Sequence, residues 1–360
     1  MKIGRMNFKA ALRTTVTAGA FLLIPGCGGD GGPLPVANSN VGIPSPPQGS
    51  GISVTPAHYV AIDLNSSAYF PTSGQGVMDG EQAGFGNLAG NSGPCSRHAL
   101  LWRGSASSVV DLHPDGFCES GVLAASGGMQ AGWGKRLNGV VHALKWAGSA
   151  SSVVDLDPTG VTTYATGIFG DQVVGFSQTG YGYRALLWTS SGMVDLHPSR
   201  FWGSIAYATD GSQQVGRGDA HAVFWTGNAE SVVDLHPGSE DCSSSEAHGV
   251  SAGQQVGFVR CGTTTRALLW TGSAQSVVDL HPSGFRSTWA IAVAAGRQVG
   301  WGETADGLVH ALLWNGNADS VVDLHVFLPA GFHYSEASGI DGSGNVVGTA
   351  DGHTILWVRQ

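Results

Sequence analysis

HALLWRGSASSVVDLHP, residues 98–114, reads as an apolar strand ending in tryptophan, a glycine-serine turn, and a second short strand stopped by proline. Its first part returns as HALKW (142–146), RALLW (184–188), HAVFW (221–225), RALLW (266–270), HALLW (310–314) and HTILW (353–357). The tryptophans Trp102, Trp146, Trp188, Trp225, Trp270, Trp314 and Trp357 stand 44, 42, 37, 45, 44 and 43 residues apart, the length of one four-stranded propeller blade. A single blade cannot bury its own faces. Seven copies therefore predict an all-β chain folded as a seven-bladed β-propeller, one domain where length alone would allow two.

Four strands recur in each unit, named A to D from axis to rim. Strand D is VAIDL (60–64), VVDL (109–112, 153–156, 232–235, 277–280, 321–324) or MVDL (193–196). Strand B is EQAGFG (81–86), MQAGWG (129–134), DQVVGF (171–176), QQVGRG (213–218), QQVGFV (254–259), RQVGWG (297–302) or NVVGTA (345–350), whose glycine permits close backbone approach. Strand A is marked only by small residues, as in SIAYATDG (204–211), AHGVSAG (247–253) and ASGIDGSG (337–344), which suit a crowded axis. The array opens on a D-type strand and ends on a C-type strand. The prediction is that VAIDL pairs with HTILW, so that the N-terminal strand completes the last blade and leaves no open edge.

The 56 glycines and 12% charged residues would suggest disorder, but 42% of the chain is hydrophobic and regularly spaced, so the glycines read as turns. Lys2, Arg5, Lys9 and Arg13 precede an apolar core from Val16 to Ile24, the layout of an export signal over residues 1–26. Leu23-Ile24-Pro25-Gly26-Cys27 resembles a bacterial lipobox, which implies lipidation of Cys27, with Gly28 directing the protein to the outer membrane. Residues 27–57 are rich in Gly, Pro and Ser and read as a disordered tether, with the propeller over 58–360. The lipid is then the only membrane contact expected. Past the signal, 13 basic residues face 26 acidic ones, a net of −13 that repels phosphate backbones and argues against nucleic acid as a partner.

With Cys27 lipidated, Cys95, Cys118, Cys242 and Cys261 remain, an even count that favours two disulfides in an exported chain. All four fall in B–C or D–A connections, on one face of the ring. The local pairing is preferred, Cys95 with Cys118 and Cys242 with Cys261. Ten histidines occupy two repeat positions, the start of strand C (His98, His142, His221, His310, His353) and the end of strand D (His113, His197, His236, His281, His325). Such a ring of imidazoles could suggest a metal, but rim histidines of different blades lie too far apart to share an ion, so hydrogen bonding of loops is the expected role. The strand-D aspartates (Asp63, Asp111, Asp155, Asp195, Asp234, Asp279, Asp323) read as acceptors from a turn or a histidine. TDGSQ (209–213) and DGSGN (341–345) read as A–B hairpin turns. The tryptophans read as wedges between blades.

The units of 58–360 resemble the HAF-type extracellular repeat family, whose repeats run small-residue strand, GQVVG, HAFLW and a DLG-type strand; here the last motif is DLHP. The resemblance implies a propeller-like fold and an exported location. No GxSxG, HExxH or phosphate loop is present, and no catalytic residue, metal site or cofactor is assigned. The candidate ligand residues are the irregular aromatic and charged ones in D–A and B–C loops: Tyr69, Phe70, Phe117, Tyr181, Tyr183, Phe201, Trp202, Phe285, Arg286, Phe332 and Tyr334. The expected role is a binding module for protein or glycan on the bacterial envelope. The alternatives are an exported hydrolase or lyase acting on polysaccharide or lactone, for which Glu246 and Glu336 are the main acidic residues on strand A, and a structural surface component.

Overall fold

In the computed structural model, which describes residues 58–91, 93–157, 160–180 and 182–360, seven four-stranded antiparallel sheets form the blades of a β-propeller. The leader, Cys27, the tether and Tyr181 lie outside the described residues. The inner strands are Tyr69–Met78, Glu119–Ser126, Thr162–Phe169, Ser204–Thr209, Cys242–Ser251, Phe285–Ala294 and Ser335–Ile340, in blades 1 to 7. The ring closes as the repeat order predicted. Tyr59–Asp63 runs antiparallel to His353–Arg359, with Ala61 opposite Trp357 and Asp63 opposite Ile355, and the Leu64 N–H then reaches the Thr354 carbonyl at 2.9 Å.

The glycine of strand B has a specific cause. Every inner strand carries a β-bulge at the same place, between Gly74 and Gly76 in blade 1 and between Ala247 and Gly249 in blade 5. The bulge leans a carbonyl over strand B. A Cβ on Gly84, Gly132, Gly175, Gly216, Gly257, Gly300 or Gly348 would lie 1.8–2.0 Å from an inner-strand carbonyl oxygen, so no other residue fits. Two residues earlier, a buried glutamine ties two turns together. Gln255 donates to the Gly253 carbonyl and accepts from the Gly272 N–H, and Gln82, Gln130 and Gln298 do the same in their blades.

The repeated tryptophans are wedges. Trp225 packs with Val174, Leu187 and Leu196 of the preceding blade, and Trp314 with Val256, Leu269 and Leu280 of the blade before it. Six of the seven are fully buried, and truncating such a residue costs about 3–5 kcal/mol.

A polar circuit joins consecutive blades seven times over. The backbone N–H of strand C at Ala99, Ala143, Ala185, Ala222, Ala267, Ala311 and Thr354 donates to a hydroxyl on the next inner strand: Ser120, Thr163, Ser204, Ser245, Thr288, Ser335 and Thr72. Those seven hydroxyl residues are all buried. The strand-D aspartates hold the other half of the circuit. Oδ2 receives His98, His142, His221, His310 or His353 at 2.7–2.8 Å, or Arg184 or Arg266 in blades 3 and 5. Oδ1 caps the backbone N–H two residues on, as at His113 and His236. The histidines ending strand D then reach the same hydroxyls, His236 Nδ1 lying 2.8 Å from Ser245 Oγ. The expected scaffold role of both histidine sets is thus met by named partners.

Both disulfides form as the local pairing predicted. Cys95–Cys118 ties blade 1 to the start of blade 2, and Cys242–Cys261 crosses the end of the A–B ladder in blade 5. Two disulfides are the mark of a chain that folds in an oxidising, exported environment. Among the described residues no helix is long and apolar enough to cross a membrane.

Candidate functional site

The strand-B glycine, the strand-C tryptophan and the strand-D aspartate are the same in every blade, because each blade does the same structural job. Two facing columns of the inner strands vary instead. On the inner strand, the residue following the buried hydroxyl is Ser73, Gly121, Tyr164, Ile205, Glu246, Trp289 or Glu336; opposite it on strand B stands Phe85, Trp133, Phe176, Arg217, Phe258, Trp301 or Thr349. Both columns belong to the two innermost strands, between the bulge and the cysteine-bearing loops. Phe85, Trp133, Phe176, Ile205 and Phe258 are buried and pack the blades, whereas Tyr164, Arg217, Glu246, Trp289, Trp301 and Glu336 keep partial exposure.

The rings form two arcs. Trp133, Tyr164, Phe176 and Tyr183 follow one another at centroid distances of 6.4, 5.1 and 5.6 Å. The second arc starts at the bulge residues Tyr207 and His248, stacked at 4.3 Å, and continues through Phe258 and Trp289 to Trp301, which stacks on Trp289 at 3.7 Å. Both tryptophans of that last pair retain partial exposure. They offer a broad aromatic platform at the axial mouth.

Beside this platform sits Glu246. Its Oε2 accepts from Tyr207 Oη and His248 Nε2, each at 3.0 Å, and its Oε1 faces Arg217 at 3.5 Å and Arg260 at 4.0 Å. Burial works to raise this carboxyl's pKa. The hydrogen bond and charge of His248, with Arg217 and the Tyr207 hydroxyl, outweigh it and hold the value down to about 2. Burial and the neighbouring carboxylate push the Tyr207 hydroxyl well above its ordinary value, so it stays a donor. Glu336, in the same column of blade 7, moves the other way. Burial pushes it up to about 7 against the hydrogen bond of Tyr334. Among the described residues no group of three or more His, Cys, Asp and Glu comes together as a metal cluster.

The candidates named from sequence divide by environment. Phe117, Phe201 and Phe285 lie over Gly134, Gly218 and Gly302, where a Cβ would come within 2.2–2.7 Å of their rings, so they pack the D–A turn onto strand B. Tyr69 is buried too, its hydroxyl donating to Asp111 at 2.8 Å. Tyr183 and Tyr334 reach the axial residues Phe176 and Glu336. Trp202 (77% exposed) and Phe70 (52% exposed) stand out from the loops, Phe70 edge-on to His353, which Phe332 also meets. Arg286 faces Glu303 at 3.6 Å. The residues sequence reading passed over are those of strand B. Their signal is the single position after the strand-B glycine, occupied in turn by Phe, Trp, Phe, Arg, Phe, Trp and Thr.

The chain is similar in structure to solved propellers. The β-propeller domain of the Trilobed protease from Pyrococcus furiosus has a TM-score of 0.53 at 10% identity, covering 82% of this chain and 96% of that one. Oligogalacturonate lyase in complex with manganese gives 0.53 at 9%, covering 85% and 97%. A puromycin hydrolase mutant gives 0.50 at 12% over 75% of this chain, which spans 47%, about half, of that protein's length. At such identities the likeness concerns the fold alone. By sequence, no family model and no curated protein matches the chain. The Trilobed domain is described as having an open velcro topology, whereas this ring is closed by a paired strand.

Proposed function

We propose that this protein is an exported glycan-binding propeller, lipid-anchored through Cys27 on the outer membrane and presenting its axial mouth to a carbohydrate. One observation carries the reading: two facing columns of the innermost strands vary from blade to blade and, in blades 4 to 6, bring aromatic rings beside a Glu–Arg cluster. Aromatic faces stack on pyranose rings, and a rigid ring of strands positions them without ordering cost. The leader, the lipobox resemblance, the resemblance to the HAF-type repeats and the two disulfides support an exported location. A glycan array probed with the purified full chain tests the proposal. Binding that is lost in Trp301→Ala, with the fold intact by circular dichroism, supports it; an array without signal overturns it.

The enzymatic reading has one observation in its favour. Glu246 is held ionised while burial raises Glu336 to about 7, so the two carboxyls differ in the way acid and base roles require. Turnover of a bound oligosaccharide that Glu336→Gln abolishes would support catalysis over binding alone.

A further inference from the structure

We propose that the blade 4–6 side of the axial mouth is a subsite for an acidic sugar, a pyranose ring bearing a carboxylate, held by Arg217 and Arg260 while its ring stacks on Trp289 and Trp301. The proposal rests on the glycan reading above and narrows it. Glu246 has spent its Oε2 on Tyr207 and His248, so only Oε1 faces the guanidinium groups, at 3.5 and 4.0 Å. Those are ion-pair separations too long for good hydrogen bonds. Neither arginine makes a side-chain hydrogen bond or another ion pair among the described residues. Each therefore keeps most of its five N–H donors, and a planar guanidinium matches a carboxylate in a two-point fork. Arg260 is held in position by the Phe258 face, 4.9 Å below its guanidinium carbon. Its side chain is 39% exposed, so it opens to the mouth, while Arg217 at 19% lies deeper.

The anion position is contiguous with the stacking position. Phe258 sits beneath Arg260 and meets Trp289 at 6.5 Å, and Trp289 stacks on Trp301. A carboxylate and the ring it is attached to would thus be engaged together. The chain's overall charge of −9 does not oppose this. Charges beyond a Debye length of about 8 Å are largely screened, so two arginines against one glutamate decide the local sign. That same acidic surface disfavours long polyanions, so the subsite fits a single acidic residue or a chain end.

The test is calorimetric titration of the full chain with glucuronate- and galacturonate-containing disaccharides and with their methyl esters, which keep ring shape and remove the charge. The acids are expected to bind at least about tenfold tighter than the esters, with the difference shrinking as salt rises. Arg217→Gln/Arg260→Gln is expected to bring acid affinity down to that of the ester, removing the preference, whereas Trp301→Ala weakens acid and ester alike and keeps their ratio. Arg260→Lys, which keeps the charge without the fork, loses most of the preference. Equal affinity for acid and ester in the native protein overturns the subsite while leaving glycan binding intact. Loss of all binding, neutral sugars included, overturns the glycan reading itself. Should the double variant fail to fold, the acid-to-ester ratio of the native protein still decides.

Discussion

A hydroxyl repeated seven times joins the blades, and its chemistry predicts which substitutions each junction tolerates. Ser245 Oγ takes the Ala222 N–H at 2.9 Å and meets His236 Nδ1 at 2.8 Å, all within the protein. Ser245→Ala leaves a buried backbone N–H unsatisfied, at a cost of about 1–3 kcal/mol. Ser245→Thr should be nearly neutral, because Thr72, Thr163 and Thr288 do the same work at other junctions. Equilibrium denaturation of the two variants separates the cases: equal loss in both would mean that packing volume, not the hydrogen bond, matters there. Two aspartates outside the repeated column, Asp210 and Asp341, are also used up by their own turns. The TDGSQ and DGSGN loops resemble cation sites, yet Asp210 Oδ1 accepts from Ser212 and Gln213, and Asp341 Oδ1 from Ser343 and Asn345, as their hairpins require.

Within one blade, the bulge and the glycine opposite it act as a unit. A Cβ at position 257 would sit 1.9 Å from the Glu246 carbonyl oxygen, which is backbone and has nowhere to go. Gly257→Ala should therefore cost about 3 kcal/mol or more, at the upper end of overpacking effects, and should weaken ligand binding by displacing Glu246. Gly262→Ala serves as the control: its Cβ meets nothing, so only its positive φ of 58° is strained. Thermal melts and titrations of both variants check this, and a Gly257→Ala protein as stable as the native one would remove the bulge from the explanation. The same unit explains what the sequence made legible. Strands B, C and D were readable because every blade needs the same glycine, tryptophan and aspartate for identical contacts, so the requirement was written seven times. Closure followed from the order of strand types, and the disulfides from the face on which a meander leaves its loops. The axial site was nearly silent for the complementary reason. Glu246 and Glu336 stood out as acids on a small-residue strand, but Arg217, Phe258 and Trp301 occupy a column with no shared requirement, and nothing in periodicity separates a ligand-facing position from a tolerant one. Phe117, Phe201 and Phe285 show the converse, because their irregular loop positions conceal a repeated packing role over a strand-B glycine.

The ring as a whole carries a proton-linked property that no single blade would reveal. Burial lowers the pKa of His113, His197, His236, His281 and His325 at five of the seven junctions, His236 to about 4, with a nearby His98, His221 or His310 adding to the effect where two imidazoles stack at 4.0–4.1 Å. Unfolded, these rings take up a proton near pH 6.5. Between that value and the lower folded values the unfolded chain binds more protons, so stability is complete above about pH 6.5 and is lost as pH falls toward about 4. Glu336 opposes the trend, since its raised pKa makes the folded state the better proton binder over part of the same range. Five histidines against one glutamate leave a positive net slope, and the melting temperature should fall steadily between pH 7 and pH 4. His236→Asn should flatten the profile, because Asn65 holds the equivalent place at the closing junction and bonds Thr72 there without titrating. Since the seven junctions form a closed circle, protonating any of them strains the others, and the loss should be a single cooperative transition at every pH. A melting temperature that stays level from pH 7 to pH 4, or a His236→Asn profile as steep as the native one, would show that these histidines do not set the acid limit of the ring.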